Sequence, residues 1–132
     1  MGKLIINICA SSDSFGAYAE NCEGIYAAGN TVAECKKDVH EAIRLIKENL
    51  PEERWPELIK GDYEIEWKYD VQSLLQYYQG VITNAALERL TGINKKQLWN
   101  YANGKSKPRA AAKNKIETAL HNLGEELIAL SL

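Results

Sequence analysis

The sequence predicts an α+β protein in two parts: a small β-β-β-α-β sheet domain over residues 1–69, then an all-α domain of about five helices over residues 70–132. Short β-rich runs bounded by Gly, Ser and Asn fill the first part around one long amphipathic helix. Capped helical segments fill the second. Charge divides at the same place. Residues 1–69 carry eight Lys/Arg against thirteen Asp/Glu, or −5, and residues 70–132 carry eight against five, or +3, making up the formal −2. An acidic part joined to a basic part predicts two modules with different partners.

At 132 residues the chain suffices for one ordinary domain or two small ones. Its 45% hydrophobic and 26% charged residues exclude the disordered class. No apolar run approaches the roughly 20 residues that span a bilayer. MGKLIINICASSD runs from an apolar patch into polar residues rather than a small-residue cleavage site, so it reads as a strand, not a signal peptide. Cys9, Cys22 and Cys35 are odd in number and evenly spaced, which fits neither a disulfide framework nor a metal site. A reduced cytoplasmic protein without cofactor or metal is the expectation.

Lys3 to Ala10 is rich in Ile and Leu, a buried strand; Ser11 to Ser14 is a turn cluster. Phe15 to Glu20 alternates large and small residues and completes a hairpin. Gly24 breaks the polar stretch that follows, and Ile25 to Ala28 is a short third strand ending at Gly29. Thr31 and Glu34 form a capping box opening a helix whose apolar stripe is Val32, Cys35, Val39, Ala42, Ile43, Ile46 and Leu50. Its charged side, Lys36 included, reads as solvated surface. Pro51 ends the helix and an acidic, irregular connection follows. Tyr63 to Tyr69 alternates over seven positions, with Tyr63, Ile65, Trp67 and Tyr69 facing inward.

Asp70 can cap a helix through Val71, Leu74, Leu75 and Tyr78. Thr83 caps the next, with Ala86, Leu87 and Leu90 inward, and Gly92 supplies a tight turn. Asn94 caps another, anchored by Ile93, Leu98 and Tyr101 or Ala102, and Gly104 closes it. A helix over Arg109–Asn122 follows; Gly124 is expected to interrupt it, leaving a last short helix to Leu130.

From Arg89 to Ile116 the chain carries eight basic residues and no acidic one. Two short helices, a Gly turn and a basic, amide-bearing second helix predict a helix-turn-helix reader of double-stranded DNA. Lys95, Lys96, Gln97 and Asn100 are the expected base contacts, since Lys donates to guanine and Asn or Gln suits adenine. Asn84, Asn103, Lys105, Lys107 and Arg109 are the expected phosphate contacts. Trp99 is expected in the core or at a domain contact, with a thymine methyl or sugar contact as the alternative. His40 and His121 lack a Cys or carboxylate at metal or triad spacing, and no phosphate loop, Ser elbow or zinc-binding helix is present. A binding module, not an enzyme, is expected.

Two stretches carry a family resemblance. FGAYAENCEGIYAAGNTVAECKKDVHEAIRLIKENL, with Gly24, Gly29, Thr31 and Glu34 at the hairpin loop and helix start, resembles the N-terminal domain of HicB-type antitoxins. LERLTGINKKQLWNYANGKSKPR resembles the lambda-repressor-like helix-turn-helix that many such antitoxins carry at the C-terminus. The resemblance implies a partial RNase H-like fold without nuclease activity, and a small mRNA-cleaving HicA-type toxin as partner. It further implies repression of the toxin–antitoxin operon by a homodimer or homotetramer. The family's Pro-containing loop is here Asn21-Cys22-Glu23-Gly24. Glu88 stands where the helix-turn-helix has a small residue, which predicts packing shifted onto Ala86 and Leu90. An orphan regulator of the same architecture, its first domain serving oligomerisation or ligand sensing, is the alternative. A residual nuclease using Asp13 is a third class.

Overall fold

The computed structural model describes all 132 residues. It is an α+β chain with a four-stranded mixed sheet and five α-helices, in two compact units, Met1–Tyr77 and Tyr78–Leu132.

In the first unit, β1 (Gly2–Ala10), β2 (Phe15–Ala19) and β3 (Tyr26–Gly29) form an antiparallel meander, and β4 (Tyr63–Tyr69) pairs with β1 in parallel. The strand order is β3-β2-β1-β4. Strand alternation puts Leu4, Ile6, Ile8, Phe15 and Ala17 on one face, all buried. Helix α1 (Val32–Asn49) covers that face with Val32, Cys35, Val39 and Ile43. The expected β-β-β-α-β order is observed. Two single-turn 3-10 helices, Glu52–Arg54 and Glu57–Ile59, occupy the irregular connection, and Ile59 of the second is buried in the same core.

Side chains finish the backbone where the strands stop. The Asn21 amide continues the β2 ladder along β1: its Oδ1 accepts from Ile5 N at 3.0 Å and its Nδ2 donates to Lys3 O at 2.8 Å. Gly24, at φ 84°, then turns the chain in the left-handed region. Gly29 is required for a different reason. A Cβ there would sit 2.7 Å from Cys35 N and 2.8 Å from Glu34 Cβ, so the strand end and the start of α1 approach too closely for any side chain. The α1 cap differs in one arm from the expected box. Thr31 Oγ1 accepts from Glu34 N at 3.1 Å, but Glu34 Oε2 reaches one residue further back, to Asn30 N at 2.9 Å.

Helix α2 (Val71–Tyr78) starts on Asp70, whose Oδ1 accepts from Ser73 N and Oδ2 from Ala10 N, both at 2.8 Å. One carboxylate thus caps the helix and secures it to the end of β1. Tyr77 stacks on Tyr69 with ring centres 6.1 Å apart. These ties place α2 up to Tyr77 with the sheet, so the compact units divide eight residues beyond the expected 69/70 boundary.

Helices α3 (Asn84–Thr91), α4 (Lys95–Ala102) and α5 (Ala110–Ile128) make the second unit. Residues 70–132 hold four α-helices rather than the expected five, because α5 runs unbroken through Gly124. A mid-helix glycine costs about 1 kcal/mol and does not by itself end a helix whose neighbours favour one. Leu87, Leu98, Tyr101, Ala102 and Ile116 are buried. Leu90 is not: it is 40% exposed, against the expected inward packing. The covered stripe on α3 runs through Asn84, Leu87 and Thr91 instead, with Asn84 and Thr91 half-buried. Leu90 falls to its edge.

Candidate nucleic-acid interface

The α3–α4 pair is held by local hydrogen bonds that follow from residue type. Thr83 Oγ1 accepts from Ala86 N at 3.1 Å and starts α3. Gly92, at φ 76°, ends it by donating its N–H to Glu88 O at 2.8 Å, a single-bond left-handed cap. Thr91 bridges the turn, its hydroxyl donating to Leu87 O at 2.7 Å and accepting from Ile93 N at 3.0 Å.

Two side chains serve the start of α4. Asn94 Oδ1 accepts from Lys96 N at 2.7 Å, and Glu88 Oε2, from α3, accepts from Lys95 N at 2.7 Å. At the other end Lys105 N donates to Asn100 O at 2.9 Å and Gly104 N to Tyr101 O at 3.3 Å, with Gly104 at φ 71°. That is a Schellman closure. The eight-residue helix is therefore capped at both ends.

Leu98, Tyr101 and Ala102 point into the unit. At 100° per residue, Lys96, Asn100 and Asn103 then lie along the opposite side, one above another at i, i+4 and i+7. Lys96 and Asn103 are exposed and Asn100 is half-buried. Lys95 and Gln97 flank this line. Lys95 is exposed, whereas Gln97 is half-buried and its Nε2 donates to Ser106 Oγ at 3.1 Å, so that amide is already engaged. Asn103 caps the helix, its Nδ2 donating to Trp99 O at 2.8 Å. Lys105, Lys107 and Arg109 are exposed along the segment into α5, and Asn84 sits half-buried in the first turn of α3.

Trp99 was expected in the core or at a domain contact, with a thymine or sugar contact as the alternative, and the core position is not observed. It is 47% exposed, beside the Lys96–Asn100–Asn103 line, with Lys105 Nζ 5.9 Å from its ring centre. Leu98 takes the core position that the neighbouring residue could not share. The nearest acid, Glu88, has its carboxylate on a backbone N–H, and no other acid interrupts the segment before Glu117.

In the sheet unit, Lys36 is not plain solvated surface. Its ammonium lies 4.9, 5.3 and 4.4 Å from the ring centres of Trp67, Tyr69 and Tyr77. Lys47 sits likewise 5.4 and 5.5 Å from Trp55 and Tyr63. Sequence reading placed the aromatics inward and the lysines outward, and missed that they meet at the rim. A groove of about 650 Å³ opens beside Asn21, Cys22, Arg54, Trp55 and Leu58. Burial pushes all three cysteine thiols up, aided by Asp70 at Cys9, Glu23 at Cys22 and Asp38 at Cys35. None therefore has the lowered pKa of a reactive thiolate. No group of three or more His, Cys, Asp or Glu is arranged to hold a metal, and no helix is long and apolar enough to cross a membrane.

Comparison of the chain with protein-family models, with curated proteins and with solved structures gives no match.

Proposed function

We propose that this chain is a DNA-binding transcriptional regulator of the HicB antitoxin type, with α3 and α4 acting as a helix-turn-helix. The observation that carries the reading is the alignment of Lys96, Asn100 and Asn103 on the outward side of a doubly capped α4, within a segment free of acids from Arg89 to Ile116. A rigid short helix with that face fits a major groove. Lys96 would donate to guanine and Asn100 pair with adenine. Asn103, Lys105, Lys107 and Arg109 would meet phosphates, supplying affinity that falls with salt. Gln97 joins the base contacts only by exchanging Ser106 for a base edge.

A reader of this kind works in pairs, on half-sites about one helical turn apart. The far half of α5 supports self-association. Leu120, Leu123 and Leu127 recur at three- and four-residue steps on one side of it, Leu130 follows just past its end, and Leu127 and Leu130 are 56% and 65% exposed. Such a stripe is self-complementary, and two copies packed antiparallel keep their basic helix starts apart.

For the sheet unit the proposed partner is a small HicA-type toxin. The −5 charge of residues 1–69 suits a protein that must be basic to hold RNA. The β-β-β-α-β order is the one a partial RNase H-like domain needs.

The test is binding of the full chain to its own promoter at physiological salt. Lys96→Ala with Asn100→Ala should weaken binding at least about tenfold, as the loss of two base contacts requires; unchanged affinity overturns the assignment. Co-expression with the product of the adjacent reading frame tests the partner. Copurification and rescue of growth support the antitoxin, and their absence leaves a regulator without a toxin.

A further inference from the structure

We propose that Trp99 reads thymine: its indole face packs on the C5-methyl group of a thymine in the major groove and makes the protein selective for that base at one position of its site. The inference rests on the DNA-reading function proposed above and adds a residue and a chemical target to it.

Trp99 is 47% exposed on a helix that had Leu98, Tyr101 and Ala102 to bury. An exposed indole gives up apolar burial that few side chains could match. Nothing in the local fold demands it, since the α4 caps and core contacts are made by Asn94, Glu88, Leu98, Tyr101 and the Gly104 turn. The ring stands one helical step to the side of Lys96, Asn100 and Asn103, so a duplex engaged by that line meets the indole as well.

Charge says what the ring meets. Lys95, Lys96 and Lys105 are its neighbours in sequence, Lys105 Nζ lies 5.9 Å from the ring centre, the chain from Arg89 to Ile116 carries no acid, and the Glu88 carboxylate is engaged by Lys95 N. A polyanion is the complementary surface. When Lys105 turns from the ring to a phosphate, it uncovers an apolar face next to the groove. Indole has a single N–H and cannot make the bidentate pattern that identifies guanine or adenine. The one apolar group that B-DNA presents in the major groove is the thymine methyl. Among pyrimidines, thymine alone carries it.

The experiment begins with a duplex selected by the full-length wild-type protein from a randomised pool. Each thymine in it is then replaced singly by deoxyuridine, which removes the methyl and keeps every hydrogen-bonding group. At one position the wild-type protein should lose about fourfold in affinity, the worth of one buried methyl-sized group. Trp99→Ala should bind the parent duplex about tenfold more weakly and show no further loss at that position. Its dependence on salt should match wild type, because no phosphate contact is removed. Trp99→Phe, keeping an apolar ring, should restore part of the affinity. Circular dichroism establishes that each variant folds; the exposure of Trp99 makes this the expected result.

Wild-type sensitivity to deoxyuridine that persists in Trp99→Ala overturns the inference while leaving the DNA-reading function intact. Equal binding by wild type and Trp99→Ala does the same. A Trp99→Ala variant that changes sedimentation but not base preference also overturns it and assigns the ring to a protein contact. A wild-type protein that enriches no duplex overturns both readings.

Discussion

Glu88 Oε2 accepts a hydrogen bond from the backbone N–H of Lys95 at 2.7 Å, across the turn between α3 and α4. A carboxylate on α3 therefore caps the start of α4, where unpaired N–H groups and the helix dipole both favour negative charge. The helix-turn-helix resemblance marked Glu88 as the residue out of pattern. Its fold role explains it: the side chain fixes the angle at which the second helix leaves the turn.

Glu88→Ala should destabilise the second unit by about 1 kcal/mol, with Glu88→Gln recovering part of the loss because its carbonyl can still accept. Thermal unfolding followed at 222 nm checks this. In a unit this small the shift should reach several degrees. An unchanged midpoint in the alanine variant means the bond contributes nothing in solution.

Lys36 predicts a loss of packing without a loss of core. Replacing it by Met keeps an apolar stem of similar length but removes the cation from between Trp67, Tyr69 and Tyr77. The expected cost is about 1 kcal/mol in chemical denaturation. Lys36→Arg should cost less. Equal stability of the Met variant would show that only the stem matters.

Two glycines should respond in opposite directions. Gly29→Ala places a methyl against backbone at Cys35 N and should cost about 2 kcal/mol or more, since neither strand nor helix can yield. Gly124→Ala meets nothing within 4 Å inside a continuous helix and should stabilise by about 1 kcal/mol. Denaturation midpoints of the two variants, side by side, decide it; destabilisation by Gly124→Ala contradicts the unbroken α5.

The exposed leucines at the end of α5 and just beyond it predict concentration-dependent assembly. Leu127→Glu with Leu130→Glu should yield a monomer in sedimentation at concentrations where wild type associates. Fold, read by circular dichroism, should not change, because neither leucine belongs to the core. Identical sedimentation of the two proteins removes α5 as the interface.

What the sequence determined by itself was whatever is settled within a turn or two of chain. Thr31, Asp70, Thr83 and Asn94 cap the helices they were expected to cap, because an Asx or hydroxyl side chain reaches a backbone N–H two or three residues on. Gly92 and Gly104 take left-handed turns because the chain must reverse there and a Cβ resists it. Period-two alternation placed Tyr63, Ile65, Trp67 and Tyr69 on the covered side of β4. In the candidate interface, the same local geometry was enough to put Lys96, Asn100 and Asn103 outward.

Only the tertiary structure decided the features that depend on a distant neighbour. Helix α2 belongs with the sheet because Asp70 reaches Ala10, sixty residues away. Lys36 lies among rings contributed by β4 and α2. Leu90 is open and Trp99 faces solvent because three helices offer limited area to cover, and Leu87, Leu98 and Ile116 take it. Periodicity assigns a side to each residue, but it carries no information about which helix covers that side. Burial of a side chain is a property of the pair of surfaces that meet, and the second surface lies elsewhere in the chain.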